Sequence, residues 1–192
     1  MFDNYNKVQQ AVLETTLGLI IEKELQATSM SLIARKSGIS TGSIYHYFES
    51  KEAIINELYR GIVTFNGHKV LDGVYTDEPL RTRLERAWRN LITLSLEYPQ
   101  GFQFIEQYSF SPYIYDEVKQ AAYEGGWCHP LEKLYAEAVE QKLFTAMDPK
   151  FMVQMHYGSI VYVVKSALNH YLDLKDEEID GLIDSCWQSV SL

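Results

Sequence analysis

Residues 37–51 read SGISTGSIYHYFESK, a stretch dense in hydroxyl groups, with two tyrosines, one histidine, one lysine and a single carboxylate, Glu49. Ser40, Thr41 and Ser43 can donate and accept hydrogen bonds. Gly42 has no side chain to hold a partner away, and Lys51 offers a positive charge. Such a set suits non-covalent recognition of something large, polar and negatively charged at close range. A carboxylate there would be repelled, which accounts for the scarcity of Asp and Glu.

Covalent and metal chemistry find less support. His156 and His170 are too far apart along one helix to share an ion, and Cys128-His129 has no second pair at ligand spacing. No G-x-S-x-G elbow, phosphate loop or catalytic carboxylate pair is present. The expectation is a protein that is not an enzyme and needs no metal or cofactor.

The elements that must position these residues read as helices. The chain has 192 residues, 46% hydrophobic, with five prolines and no run of alternating β-branched residues. Ser29 is a good N-cap for a helix to about Lys36, Gly38 breaks it, and Ser40 caps a third helix to about Tyr47. A first helix is expected from about Asn4 to Glu24, and a fourth from a Ser50 cap to near Gly73. Pro79 opens a helix to Tyr98. Pro99, Pro112, Pro130 and Gly125-Gly126 divide residues 99–142 into three shorter pieces, and helices over 149–171 and 176–191 follow. The longest apolar run, Ile160–Val164, is too short to span a membrane. With no signal stretch at MFDNYNK, the expectation is a cytoplasmic protein without a membrane partner.

Two short helices joined at Gly38, with Ala34 small at their crossing and Ile33, Ile39 and Ile44 inside the corner, form a helix-turn-helix. In this motif the third helix enters the DNA major groove, with its N-terminal residues at the base edges. Charge agrees. The chain carries a formal −9, of which residues 61–192 hold −8, while residues 28–51 are locally +2.

The stretch LIARKSGISTGSIYHYFESKEAIINELY resembles the signature of the tetracycline-repressor (TetR) family of bacterial regulators, through Ile33-Ala34, Gly38-Ile39-Ser40, Gly42, Ile44-Tyr45, Tyr47-Phe48, Ser50-Lys51 and Ile54. Two positions depart from it. Ser37 stands where Ala is usual, and the link at residues 22–27 lacks the family's common glycine. The resemblance implies an all-α chain, with a helix-turn-helix DNA-binding domain at 1–49 and a helical effector-binding and dimerisation domain at 50–192. It implies that Ser29 and Ser40 offer helix N-termini to phosphate. Tyr45, Tyr47 and Lys51 would touch the DNA backbone, while Thr41, Ser43 and His46 read bases and Gly42 permits close approach. A helical protein-interaction module is the alternative.

The larger part then has a use in sensing and pairing. Fourteen of the twenty-five aromatic residues lie between Tyr98 and Tyr162, about a third of the length. An aromatic-lined site for a small apolar or cationic effector is expected there, with Phe102, Phe104, Glu106, Tyr108, Tyr113 and Trp127 as candidates. Self-association into a homodimer is expected through the last two helices. Met155, Ser159 and Val163 are the candidates on one, and Ile179, Ile183 and Trp187 on the other.

Overall fold

Residues 1–192 are described by a computed structural model. Ten helices account for the fold: α1 Lys7–Ala27, α2 Met30–Ser37, α3 Thr41–Tyr47, α4 Lys51–Val70, α5 Leu80–Glu97, α6 Pro99–Tyr108, α7 Asp116–Gly125, α8 Cys128–Glu140, α9 Pro149–Leu168 and α10 Asp176–Val190. The only β pairing is an isolated bridge between Phe144 and Ser191. The expected all-α class holds, and none of the helices is long and apolar enough to cross a membrane.

Helix ends follow local chemistry. α1 starts three residues later than expected, because Asn6 caps it. The Asn6 Oδ1 accepts from the Val8 and Gln9 amides, each at 3.0 Å. Ser50 Oγ accepts from the Ala53 amide at 3.0 Å, at the start of α4. Beyond the end of α4, Gly73 takes a left-handed φ of 66°. Asp148 caps α9 through the Lys150 amide at 2.8 Å, with Pro149 in the first turn. α9 stops at Leu168, short of the expected Tyr171, and His170 turns left-handed.

The chain packs as two compact units. The first comprises residues 1–65 and 98–122, and the second residues 66–97 and 123–192. This partition differs from a single cut after residue 49, because Ile54, Ile55 and Leu58 of α4 and Phe104 and Tyr108 of α6 are buried in one cluster with α1–α3. The first core gathers Leu13, Ile20, Ile33, Ile44, Ile54, Leu58 and Phe104.

The second unit packs α5 on α8, α9 and α10 around Trp88, Tyr135, Phe144, Met152 and Ile160. A directed hydrogen-bond chain runs through this core. Trp88 Nε1 donates to the Tyr135 hydroxyl at 2.8 Å, and that hydroxyl pairs with His156 Nδ1 at 2.5 Å. His156 Nε2 meets Ser189 Oγ at 3.0 Å, and Ser189 donates to the Cys186 carbonyl at 2.8 Å. Since the indole can only donate, Tyr135 donates onward to Nδ1, and His156 is the neutral Nε2–H tautomer. Burial pushes its pKa down to about 4.

The α10 stripe serves the protomer's own core. Ile179 and Ile183 are buried within the protomer itself, where α10 packs on α5 and α9. They are therefore not surface residues awaiting a partner. Trp187 is half-buried, its ring 4.7 Å from Phe144 with the Arg81 guanidinium over it at 5.2 Å. An i, i+3, i+4 stripe only reports that one helix face is apolar, and here the protomer core takes that face. On α9 the solvent-facing groups include Phe151 (59% exposed), Ser159 and Tyr162 (76%), with open space over Gly158. Met155 and Val163 are half-buried beside them.

Candidate nucleic-acid interface

α2 and α3 are short helices, each with a serine cap at its N-terminus. Ser29 Oγ accepts from the Leu32 amide at 3.2 Å, and Ser40 Oγ from the Ser43 amide at 3.1 Å. Between them Gly38 ends α2 in the left-handed region, at φ 71°. Ser37, where alanine is usual in the resembling signature, adds bonds at this corner. Its hydroxyl donates to the Ala34 carbonyl at 3.4 Å and accepts from the Ile39 amide at 3.3 Å. Ile33 and Ile44 are fully buried inside the angle, so the orientation of α3 is set by apolar packing against α1 and α2.

With Ile44 inward, the rest of α3 faces solvent: Thr41, Gly42, Ser43, Tyr45 (51% exposed), His46 and Tyr47 (41%). The His46 and Tyr47 rings meet edge-on, 4.8 Å apart. Gly42 is open, since a Cβ built on it meets nothing within 4 Å. The Ser43 and Ser40 hydroxyls are 2.9 Å apart and bond to each other, while Ser29 pairs with Ser31 at 3.0 Å. Among the expected base readers, then, Thr41 and His46 have no such internal hydroxyl partner, whereas Ser43 is held by the cap.

Lys51 is placed differently from a free phosphate ligand. Its Nζ donates to the Leu25 carbonyl at 3.2 Å, in the last turn of α1. That turn is also where the missing glycine is felt. Glu24 takes φ 65° and ψ 162°, a backbone region suited to glycine, and breaks α1 there. The Thr28 hydroxyl bonds the Glu24 carbonyl at 3.0 Å, which helps hold the kink. Glu24→Gly is therefore expected to stabilise the protein by about 1 kcal/mol. A urea midpoint that stays the same or falls would show that the glutamate conformation carries no cost.

The aromatic candidates divide between the units. Phe102, Phe104, Glu106, Tyr108 and Tyr113 belong to the first, and Trp127 to the second. Phe104 and Tyr108, with rings 5.1 Å apart, are buried members of the first unit's core rather than walls of an open cavity. The Tyr108 hydroxyl is hydrogen-bonded to the Leu25 backbone. Phe102 is buried, Glu106 is half-buried, and Tyr113 is accessible, its hydroxyl accepting from Gln26 at 3.4 Å. Trp127 is half-buried between the rings of Trp88 at 6.0 Å and Tyr157 at 5.1 Å.

Aromatic side chains at helical spacing read alike whether they fill a core or line a site. Sequence reasoning missed the Trp88–Tyr135–His156 chain for a related reason, since its members lie on three different helices.

Comparison with known proteins bears directly on this geometry. Residues 12–58 match the family model for bacterial regulatory proteins of the tetR family, and residues 79–191 match the tetracycline repressor-like C-terminal domain, more than half of the chain. The chain belongs to the TetR family. An uncharacterised HTH-type transcriptional regulator of Haemophilus influenzae is 20% identical over 186 residues, 94% of each chain. The HTH-type transcriptional repressor KstR2 of Mycobacterium tuberculosis is 40% identical over 58 residues, 30% of this chain and 29% of that one.

Among solved structures, a TetR family regulator from Marinobacter aquaeolei superposes with a TM-score of 0.89 at 22% identity, covering 100% of this chain and 99% of the other. Another from a Shewanella species gives 0.85 at 23%, covering 96% and 98%. Likeness at this identity speaks to the fold alone. As a TetR family member the chain is a DNA-binding transcriptional regulator, and such regulators are not enzymes.

Proposed function

We propose that this TetR family regulator is a repressor that binds a palindromic operator as a homodimer and leaves it when a small apolar or cationic aromatic molecule binds. The observation that carries the reading is the α3 surface, where six solvent-facing residues include no carboxylate on a chain of formal charge −9. Thr41 and His46 read base edges, Gly42 sets the approach, and Tyr45, Tyr47 and the N-termini at Ser29 and Ser40 contact phosphate. Two half-sites require two copies. The exposed α9 face of Phe151, Ser159 and Tyr162, open over Gly158, supports pairing there, because small residues let helices approach closely. The density of aromatic residues between Tyr98 and Tyr162 supports an effector site, with Tyr113, Glu106 and Trp127 the most accessible of the candidates.

Capturing genomic fragments on the purified protein and footprinting the winners tests the reading. Two symmetric protected half-sites about one helical turn apart are expected. Capture of no fragment would favour the protein-interaction module. Tyr162→Glu should give monomers in sedimentation and loosen operator binding while leaving the fold intact, since the side chain faces solvent in the single chain. A dimeric Tyr162→Glu protein would move the interface away from this face. A library of aromatic cations and apolar compounds should contain members that raise the melting temperature and release the operator in parallel.

A further inference from the structure

Residues 1–5 lie where α4 and α6 meet, over Gly61 in the middle of α4 and Gly101 in the first turn of α6. A Cβ built on Gly61 of α4 would stand 2.9 Å from the Phe2 ring and 3.2 Å from the Tyr5 hydroxyl. One built on Gly101 of α6 would stand 3.0 Å from Met1 Cε and 3.6 Å from Ile62 of α4. Phe2 is 1% exposed, so its ring has no room to swing aside. The Tyr5 hydroxyl donates to Glu57 Oε1 at 2.7 Å, and Glu57 in turn pairs with Arg60. A turn closed by the Tyr5 amide on the Phe2 carbonyl at 3.0 Å holds the two rings edge-to-face, 6.0 Å apart.

Glycine inside a helix is unfavourable relative to alanine, and helix position gives no reason for it at 61. The close approach of the Phe2 ring does. We infer that residues 1–5 are a strap that fastens α4 to α6. Only three residues separate the end of α3 from the start of α4, so α4 carries the recognition helix with it. Fastened in this way, α6 and the DNA-reading helices move as one body, and the strap opposes any change in the spacing of α4 and α6.

The test is a double-mutant cycle on the full chain. Gly61→Ala should lower the melting temperature in the native background, because the new methyl meets an enclosed ring. In a Phe2→Ala background the same change should be clearly less harmful, because of the close neighbours only the Tyr5 hydroxyl at 3.2 Å remains and the helix preference of alanine offsets it. Hydrogen exchange should report the fastening itself. Phe2→Ala is expected to speed amide exchange in Pro99–Tyr108 by at least about tenfold while residues 128–190 are unaffected. Phe2→Leu, which keeps an apolar plug without the ring, serves in both measurements if the alanine variant does not fold. The strap is overturned if Gly61→Ala is equally harmful in both backgrounds. It is also overturned if exchange in α6 is unchanged, or rises no more there than in residues 128–190.

Discussion

Tyr135→Phe is expected to destabilise the second unit by about 3 kcal/mol and lower the melting temperature by roughly 6–12 °C. Only one oxygen is removed, but it serves two buried partners. Without it the Trp88 Nε1–H has no acceptor and His156 Nδ1 has no donor, and each unsatisfied buried group costs about 1–3 kcal/mol. A loss below about 1 kcal/mol in urea denaturation would mean that water or a neighbour replaces the hydroxyl.

The same chain ties stability to pH. His156 is held down to about 4 by burial, against 6.5 for the free side chain, so the unfolded state binds the extra proton between those values. Stability contributed by the neutral imidazole is complete above about pH 6.5. It falls as pH drops through the window and is gone below about 4, a loss of about 3 kcal/mol. His156→Gln cannot take up that proton. Compared with the native protein, it should show a shallower fall in unfolding free energy between pH 7 and pH 4.5. Parallel curves would detach the acid sensitivity from His156.

Gly42→Leu is expected to separate stability from DNA binding. A Cβ on Gly42 meets open space, and leucine is the better helix former, so the melting temperature should hold or rise slightly. Binding to the captured operator should nevertheless weaken by about 100-fold, because the new side chain occupies the space α3 needs to approach the base edges. Loss of affinity together with loss of fold would implicate packing instead. Unchanged affinity would move the contact surface off the N-terminal half of α3.

The recognition unit was legible in the sequence because short-range chemistry dictates it. Serines at two caps, a glycine at the left-handed corner and isoleucines at fixed spacing each act within a few residues, and the structure has α2, Gly38 and α3 where those signals place them. Most other helix ends were readable from prolines, glycines and caps for the same reason.

Choices between equivalent apolar faces were not readable. The α10 stripe could close a protomer or a dimer, and only the position of α5 and α9 assigns Ile179 and Ile183 to the protomer core. Phe104 and Tyr108 likewise became core because α1 lies against α6. Lys51 turned from a free charge into a tether once the kink at Glu24 brought the Leu25 carbonyl within 3.2 Å. Local sequence decides where a helix begins, ends and is apolar, whereas contacts between residues distant in the chain decide what each apolar face meets. The buried chain from Trp88 through Tyr135 to His156 exists only in that second kind of information.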